Sequence, residues 1–251
     1  MAIQHFGEEV PKEKFGGKAH NLAVLTKTVG DVAQVPQGFA ISPDHVLNKD
    51  KKVLEILENV NLVCGGFPVA VRSSAIGEDG VEHSFAGQYD TILNVQTLKE
   101  LLVAIRTVRD SAHSDRVEAY TRNSGLAKTG VGVVVQRMIN STMSGVLFTA
   151  EPVENDTSVI FIEAVEGLGD KMVSGHASPD SYEIVKNSGL VKEQHCIEGR
   201  PMCREELSKM LEIGMHIENI FGCPQDIEWA ITRGIDGINY YVLQARPITT
   251  I

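Results

Sequence analysis

The chain has 251 residues, 43% of them hydrophobic, with a formal net charge of -10 and a pI near 5.3. That length supports a sizeable core in one or two domains, and the acidic balance argues against nucleic acid as a main partner. It leaves room for a nucleotide, because a few local Arg and Lys can hold phosphates inside an acidic protein. The opening MAIQHFGEEV lacks a basic-then-apolar pattern, and every apolar run falls far short of the ~20 residues that span a bilayer. A soluble cytoplasmic chain with no membrane partner is expected. Cys64, Cys196, Cys203 and Cys223 form no C-x-x-C pair, so reduced, mostly buried thiols are expected rather than zinc or disulfides.

In chain order, Gly16-Gly17-Lys18 leads into a helical stretch from Ala19 to Leu25. Val35 to Ile41 reads as a turn and a short strand. Ser42-Pro43 reads as a helix start, with Ser42 as N-cap, for a helix to about Val60. Strands at Pro68–Ser73 and Gln88–Val95 bracket a small, polar, acidic loop. Thr97 to Ser124 is the longest helical pattern, with Leu98, Leu101, Leu102, Ile105 and Val108 on one side and Gly125 as its stop. Strands are then predicted at Gly132–Met138, Gly145–Thr149, Val159–Ala164, Tyr182–Val185, Ile227–Ile231 and Tyr240–Gln244. One helix sits among them, from Arg204 to about Ile220, ended by Gly222 and Pro224. A helix-rich first half and a strand-rich second half imply an α+β fold in two lobes, approximately 1–130 and 131–251.

Several polar side chains interrupt apolar strands. Arg72 ends Val69-Ala70-Val71, and Gln136 follows Val133-Val134-Val135. Asp226 and Glu228 flank Ile227, so they share one strand face, with Trp229 on the other, buried face. Gln244 and Arg246 flank Ala245 in the same way. If these strands pair through the turn near Gly234–Gly237, one face carries two carboxylates, an amide oxygen and a guanidinium. Carboxylate and amide oxygens suit Mg²⁺, and arginine suits phosphate. Phosphoryl transfer is mostly positioning and charge neutralisation, so such a set matches that chemistry; it also matches a solvated edge hairpin. Gly16-Gly17-Lys18 is not G-x-x-x-x-G-K-[ST], and alone reads as readily as a turn with a solvent lysine. The eight histidines show no metal-ligand spacing, and His83 and His176 read as surface residues.

Taken together, Gly16-Gly17-Lys18, VPQGFAIS, AVRSSA…SFAGQYDTILNV, VVVQRMI…SGVLFTAEP, IEAVEGLGDKMVSGHASPD, PQDIEWA and LQARPIT resemble, in order, the ATP-binding domain of the phosphoenolpyruvate synthase, pyruvate phosphate dikinase and rifampicin phosphotransferase family. The resemblance spans nearly the whole chain and implies a single ATP-grasp domain over 1–251, with ATP in the cleft between its lobes. It implies that Lys18 and Arg72 contact the triphosphate, and that Gln136 with the Arg137-Met138 backbone forms the adenine hinge. It implies Glu228 and Gln244 as Mg²⁺ ligands and Arg246 on the transferring phosphates. Asp226 would support the metal or the ribose side. The loop from Ser73 to Gln88 would cover the phosphates, with Arg72 and Gln88 as its polar ends and Glu78, Asp79 and Glu82 keeping it solvated when open.

Two departures from the family stand out. Neither His83 nor His176 sits in the family's Gly-Gly-x-x-Ser/Thr-His acceptor motif, so neither a phosphohistidine domain nor a pyruvate-binding domain is expected here. The stretch from Ile41 to Pro68 is also shorter than the family's. The resemblance therefore implies an ATP-dependent phosphotransferase, incomplete alone, passing the β-phosphate of ATP to a histidine on a separate partner or missing domain. Direct phosphorylation of a small molecule is one alternative, and a non-catalytic nucleotide-binding regulatory module another.

Overall fold

A computed structural model describes residues 2–45, 50–76, 79–80, 83–84, 91–111, 130–151, 155–169, 178–197, 200–235 and 237–249. The chain divides into two compact units. One comprises Met1–Val24 and Pro36–Met138, the other Leu25–Val35 and Ile139–Ile251.

The first unit contains β1 (Ile3–His5), α1 (Lys12–Phe15), most of α2 (Gly17–Thr28), β2 (Gly38–Ile41), α3 (Asp50–Val63), β3 (Val69–Ala75), β4 (Asp79–Gly80), β5 (His83–Ser84), β6 (Thr91–Val95), α4 (Leu98–Asp110) and β7 (Val131–Arg137). Five strands form an antiparallel sheet in the order β1-β2-β7-β3-β6, while β4 and β5 pair separately. Strand alternation sends Val69, Val71, Val133 and Val135 to one face, where they meet Ile56 of α3 and Ile105 of α4 in one core. The α4 helix starts where its sequence says it should. The Thr97 hydroxyl accepts the Glu100 N–H at 3.2 Å, and the Glu100 carboxylate takes the Gln96 N–H at 2.8 Å. Leu101, Ala104, Ile105 and Val108 then recur at helical spacing and are all buried.

One expectation for this half changes. Ser42 is not a helix cap: its hydroxyl donates to the Ala2 carbonyl at 3.2 Å, Pro43 and Asp44 form a turn, and the described helix begins at Asp50. β1 is a strand the sequence does not predict, because it is only three residues long and carries no alternation to read. The expected strand is described over Thr91–Val95 and the helix expected from Thr97 to Ser124 over Leu98–Asp110, and residues 85–90 and 112–129 lie outside the described residues. Gln88 and the expected stop at Gly125 lie outside the described residues.

The second unit contains β8 (Met143–Phe148), β9 (Val159–Glu166), β10 (Asp180–Val185), β11 (Val191–His195), α5 (Arg204–Phe221), β12 (Gln225–Gly234) and β13 (Gly237–Pro247). Its six strands are antiparallel in the order β11-β10-β9-β8-β12-β13. Leu207, Met210, Ile213 and Ile217 of α5 share a core with Leu147, Ile162, Ile227 and Trp229 of the sheet. Gly145 lies opposite Trp229, and a Cβ there would collide with the Glu163 carbonyl and approach the indole at 3.0 Å. Gln34 extends the unit beside β13, donating its N–H to the Tyr240 carbonyl at 2.9 Å and accepting the Val242 N–H at 2.8 Å.

The α5 helix is capped at both ends. Cys203 and Glu206 form a reciprocal N-terminal box, and Gly222 takes the left-handed conformation (φ 70°) at the C-terminus. Glu206 is fully buried and also binds Arg233 of β12, with Arg233 Nε at 2.9 Å and Nη2 at 2.7 Å from its Oε1. Burial alone raises the Glu206 carboxyl pKa, but the Cys203 N–H and Arg233 outweigh it and leave the pKa lowered. The edge strand β11 (VKEQH) is exposed throughout and escapes a sequence reading based on apolar alternation. Among the described residues, no helix is long and apolar enough to cross a membrane.

Candidate functional site

Within the first unit, the sheet face turned away from the α3 and α4 core carries the polar residues. Ala70, Arg72 and Ser74 alternate along β3 on this face. Opposite them on β7 stand Gln136, Val134 and Gly132, respectively. Arg72 and Gln136 therefore share a face, both buried, at 5% and 1% exposure. The Gln136 amide nitrogen donates to the Pro36 carbonyl at 3.3 Å. The Arg137 and Met138 N–H groups donate to the Gln37 and Pro68 carbonyls at 2.8 and 3.2 Å. Both N–H groups of this expected hinge are therefore engaged within the protein.

Lys18 lies in the first turn of α2 and is also buried, at 7% exposure. Gly16, with φ 87°, brings the chain against the Ser74 backbone so closely that a Cβ would overlap the Ser74 carbonyl. The Ser74 hydroxyl accepts the Ala19 N–H at 3.0 Å. Gly16-Gly17-Lys18 is thus a docked turn with a buried lysine, not a solvent turn. Gln88 lies outside the described residues; of the cover expected from Ser73, residues Ser73–Ala75 instead continue β3, and beyond Ile76 the described part is the Asp79–Gly80 and His83–Ser84 backbone pairing.

Within the second unit, β12 and β13 form the expected hairpin. Asp226 lies directly opposite Arg246, and Glu228 opposite Gln244, with a bulge after Glu228. Trp229 is buried, at 1% exposure, on the other face. The bulge leaves both cross-strand pairs in register on the open face and reverses the alternation of β13 beyond them. Arg246 places Nε at 2.8 Å and Nη2 at 2.6 Å from Asp226 Oδ2. Asp226 thus acts first as the carboxylate that orients Arg246.

Glu228 and Gln244 offer a carboxylate and an amide oxygen side by side. Among the described residues, no group of three or more His, Cys, Asp or Glu could hold a metal ion. A cage built wholly of protein ligands is not what this face provides. Two oxygen donors beside an arginine fit Mg²⁺, which keeps several waters and takes further oxygens from phosphates.

Two residues on these faces escape the sequence reading. Glu163 of β9 lies opposite Val146, which lies opposite Glu228, so all three share one row of the sheet. Glu163 is half-buried, and burial raises its carboxyl pKa. Its signal was present in the sequence: a carboxylate interrupting the apolar run Val159-Ile160-Phe161-Ile162, the same kind of break that marks Arg72 and Gln136. Ser74 left a fainter one, its i+2 spacing from Arg72.

The sequence matches the pyruvate phosphate dikinase AMP/ATP-binding domain over residues 49–203 and 197–251. It is 34% identical to the uncharacterized phosphotransferase YvkC of Bacillus subtilis (strain 168), covering 94% of this chain and 33% of that protein. It is 33% identical to a probable phosphoenolpyruvate synthase of Methanocaldococcus jannaschii, covering 90% of this chain and 23% of that protein. Rifampicin phosphotransferase of Bacillus subtilis (strain 168) is 29% identical, covering 98% of this chain and 36% of that protein. The chain therefore spans about a quarter to a third of the length of these curated relatives.

Proposed function

This chain belongs to the family of the pyruvate phosphate dikinase AMP/ATP-binding domain, and on that premise we propose that it is an ATP-dependent phosphotransferase module of the dikinase type. Its α+β fold is accordingly of the ATP-grasp class. The observation that carries the proposal is the register of the β12–β13 hairpin, which sets Asp226 against Arg246 and Glu228 against Gln244 on one face.

In this reading, Lys18 and Arg72 neutralise phosphate oxygens of ATP. Gln136 and the Arg137-Met138 backbone border the adenine. Arg246, held by Asp226, points two fixed N–H donors at the phosphoryl group that transfers. Glu228 and Gln244 hold Mg²⁺, which when bound supplies charge neutralisation at the phosphates. Phosphoryl transfer asks for positioned charge more than covalent chemistry, so these residues make up a sufficient apparatus. The acceptor is a histidine on a separate protein or on a further part of a longer polypeptide. The imidazole nitrogen attacks the β-phosphorus, its bond to the α–β bridging oxygen breaks, and AMP leaves, with the pyrophosphoryl group now on the histidine. Water then cleaves the link between the β- and γ-phosphates, so phosphate leaves and the β-phosphoryl group stays on the imidazole.

The test is isotopic. The purified chain is incubated with Mg-ATP and a histidine-bearing domain of a relative supplied in trans. Label is expected on that domain from β-³²P-ATP and not from γ-³²P-ATP, with AMP as product. Label carried only from the γ position would replace this reading with an ordinary kinase reaction. Nucleotide binding without transfer to any acceptor would favour a regulatory module.

A further inference from the structure

Lys18 and Arg72 are 54 positions apart in sequence, and both are buried in the first unit. Two like charges held out of water on one side of a sheet repel each other, so their backbones need anchoring. The anchor is visible. Ser74 follows Arg72 by two positions on β3, so both side chains leave the same face, from backbone roughly 7 Å apart. Residues on either side of Lys18 touch Ser74: Gly16 packs on its carbonyl, and the Ala19 N–H donates to its hydroxyl at 3.0 Å. That N–H is one of the first-turn donors of α2 that no helical carbonyl can satisfy. Gly132, opposite Ser74 on β7, completes the fit, because a Cβ there would lie 2.5 Å from the Phe15 carbonyl oxygen and 3.2 Å from that of Ser74.

We propose that the Ser74 hydroxyl is a positioning group that docks the start of α2 onto β3 and so sets Lys18 beside Arg72 for a shared anionic ligand. This deepens the nucleotide-binding reading and rests on it. Ser74 itself touches no phosphate. It acts through the Ala19 N–H, and Gly16 and Gly132 serve backbone contact rather than a phosphate-wrapping loop. Gly16-Gly17-Lys18 is in this sense a docking motif, which explains Gly16 ahead of the lysine without the spacing of a P-loop.

The experiment is a mutant cycle read by calorimetry of Mg-ATP binding to the full chain. Ser74→Ala removes the acceptor, and Ser74→Cys replaces it with a weak one of nearly the same shape, in case the alanine variant folds poorly. Each is expected to weaken binding about fivefold to tenfold, the effect of one lost hydrogen bond. In a Lys18→Ala background the same Ser74 changes should alter affinity by less than about twofold, because the group being positioned is gone. An equal loss in both backgrounds would mean a general structural role and overturn the proposal, as would unchanged affinity in both Ser74 variants. If Lys18→Ala and Arg72→Ala themselves leave affinity unchanged, the nucleotide reading of this face fails. If those two weaken binding and the Ser74 variants do not, only the positioning role fails.

Discussion

The two units place their charged side chains by different means. In the second unit, a long hairpin does it with covalent regularity: strand alternation chooses the face, and register sets Asp226 opposite Arg246 and Glu228 opposite Gln244. In the first unit, Arg72 is set by a strand, but Lys18 is set by docking, through Gly16 and the Ala19 N–H on Ser74. A site built on register is tolerant of side-chain change and sensitive to strand slippage. A site built on docking is the reverse: one hydroxyl or one added methyl group displaces it. The contrast teaches that the same kind of charge, on the same kind of sheet face, can rest on very different parts of the sequence.

The contrast can be broken hardest at the far end of the hairpin. Arg233 of β12 is tied to the buried Glu206 of α5, so register and helix are fastened together. Glu206→Ala removes the buried capping carboxylate and leaves the partly exposed Arg233 guanidinium without its ion pair. A loss of about 3 kcal/mol, for the charged hydrogen bonds and the cap together, is expected in urea unfolding. The same carboxylate gives the unit an acid limit. Its folded pKa lies below the ordinary glutamate value of about 4.3, so its contribution is full above that value and is lost as pH falls through the folded pKa. Glu206→Gln should flatten the fall in stability below about pH 4.3. An unchanged acid slope would show that other carboxylates set it.

Next in size are the arginines. Arg72→Ala and Arg246→Ala should each cost about 2–3 kcal/mol of Mg-ATP affinity while melting temperature changes little, since each removes a charge-assisted donor. Asp226→Asn should cost less, about 1 kcal/mol, because it leaves Arg246 in place and only loosens its aim. Equal effects from Asp226→Asn and Arg246→Ala would mean that Asp226 touches the ligand itself. The smallest effect is expected at Cys64, buried among the first unit's core residues, where burial pushes the thiol pKa up to about 12. A thiol reagent at pH 8 should modify the exposed Cys196 and leave Cys64 unreacted in the folded chain. Early modification of Cys64 would show that this core opens more readily than its packing indicates.

Legibility in the sequence follows the same divide. The β12–β13 hairpin could be read from Asp226-Ile227-Glu228-Trp229 and Gln244-Ala245-Arg246, because a period of two is a local property. The α4 helix was legible over its described length, Leu98–Asp110, because its apolar period is likewise local. Ser42 misled because Ser-Pro is also a turn opener, and here its hydroxyl is used by Ala2. The docking of Gly16-Gly17-Lys18 was hidden because its partner, Ser74, is 58 residues from Gly16 and only tertiary contact joins them. At the expected hinge, the Arg137 and Met138 N–H groups are taken by Gln37 and Pro68 from other segments, which no local pattern shows. Glu163 carries a local mark of the same kind as Arg72 and Gln136, a charged residue after the apolar run Val159-Ile160-Phe161-Ile162.

The central claim is that Glu228 and Gln244 hold Mg²⁺ for a nucleotide. Calorimetric titration of ATP into the wild-type chain and Glu228→Gln, each with and without Mg²⁺, tests it most directly. The wild-type chain should bind ATP at least tenfold more tightly with Mg²⁺ than without, a difference of about 1.4 kcal/mol or more. Glu228→Gln should fold normally and bind ATP with nearly the same affinity in both conditions. A variant that keeps the full Mg²⁺ dependence of the wild-type chain would contradict the assignment.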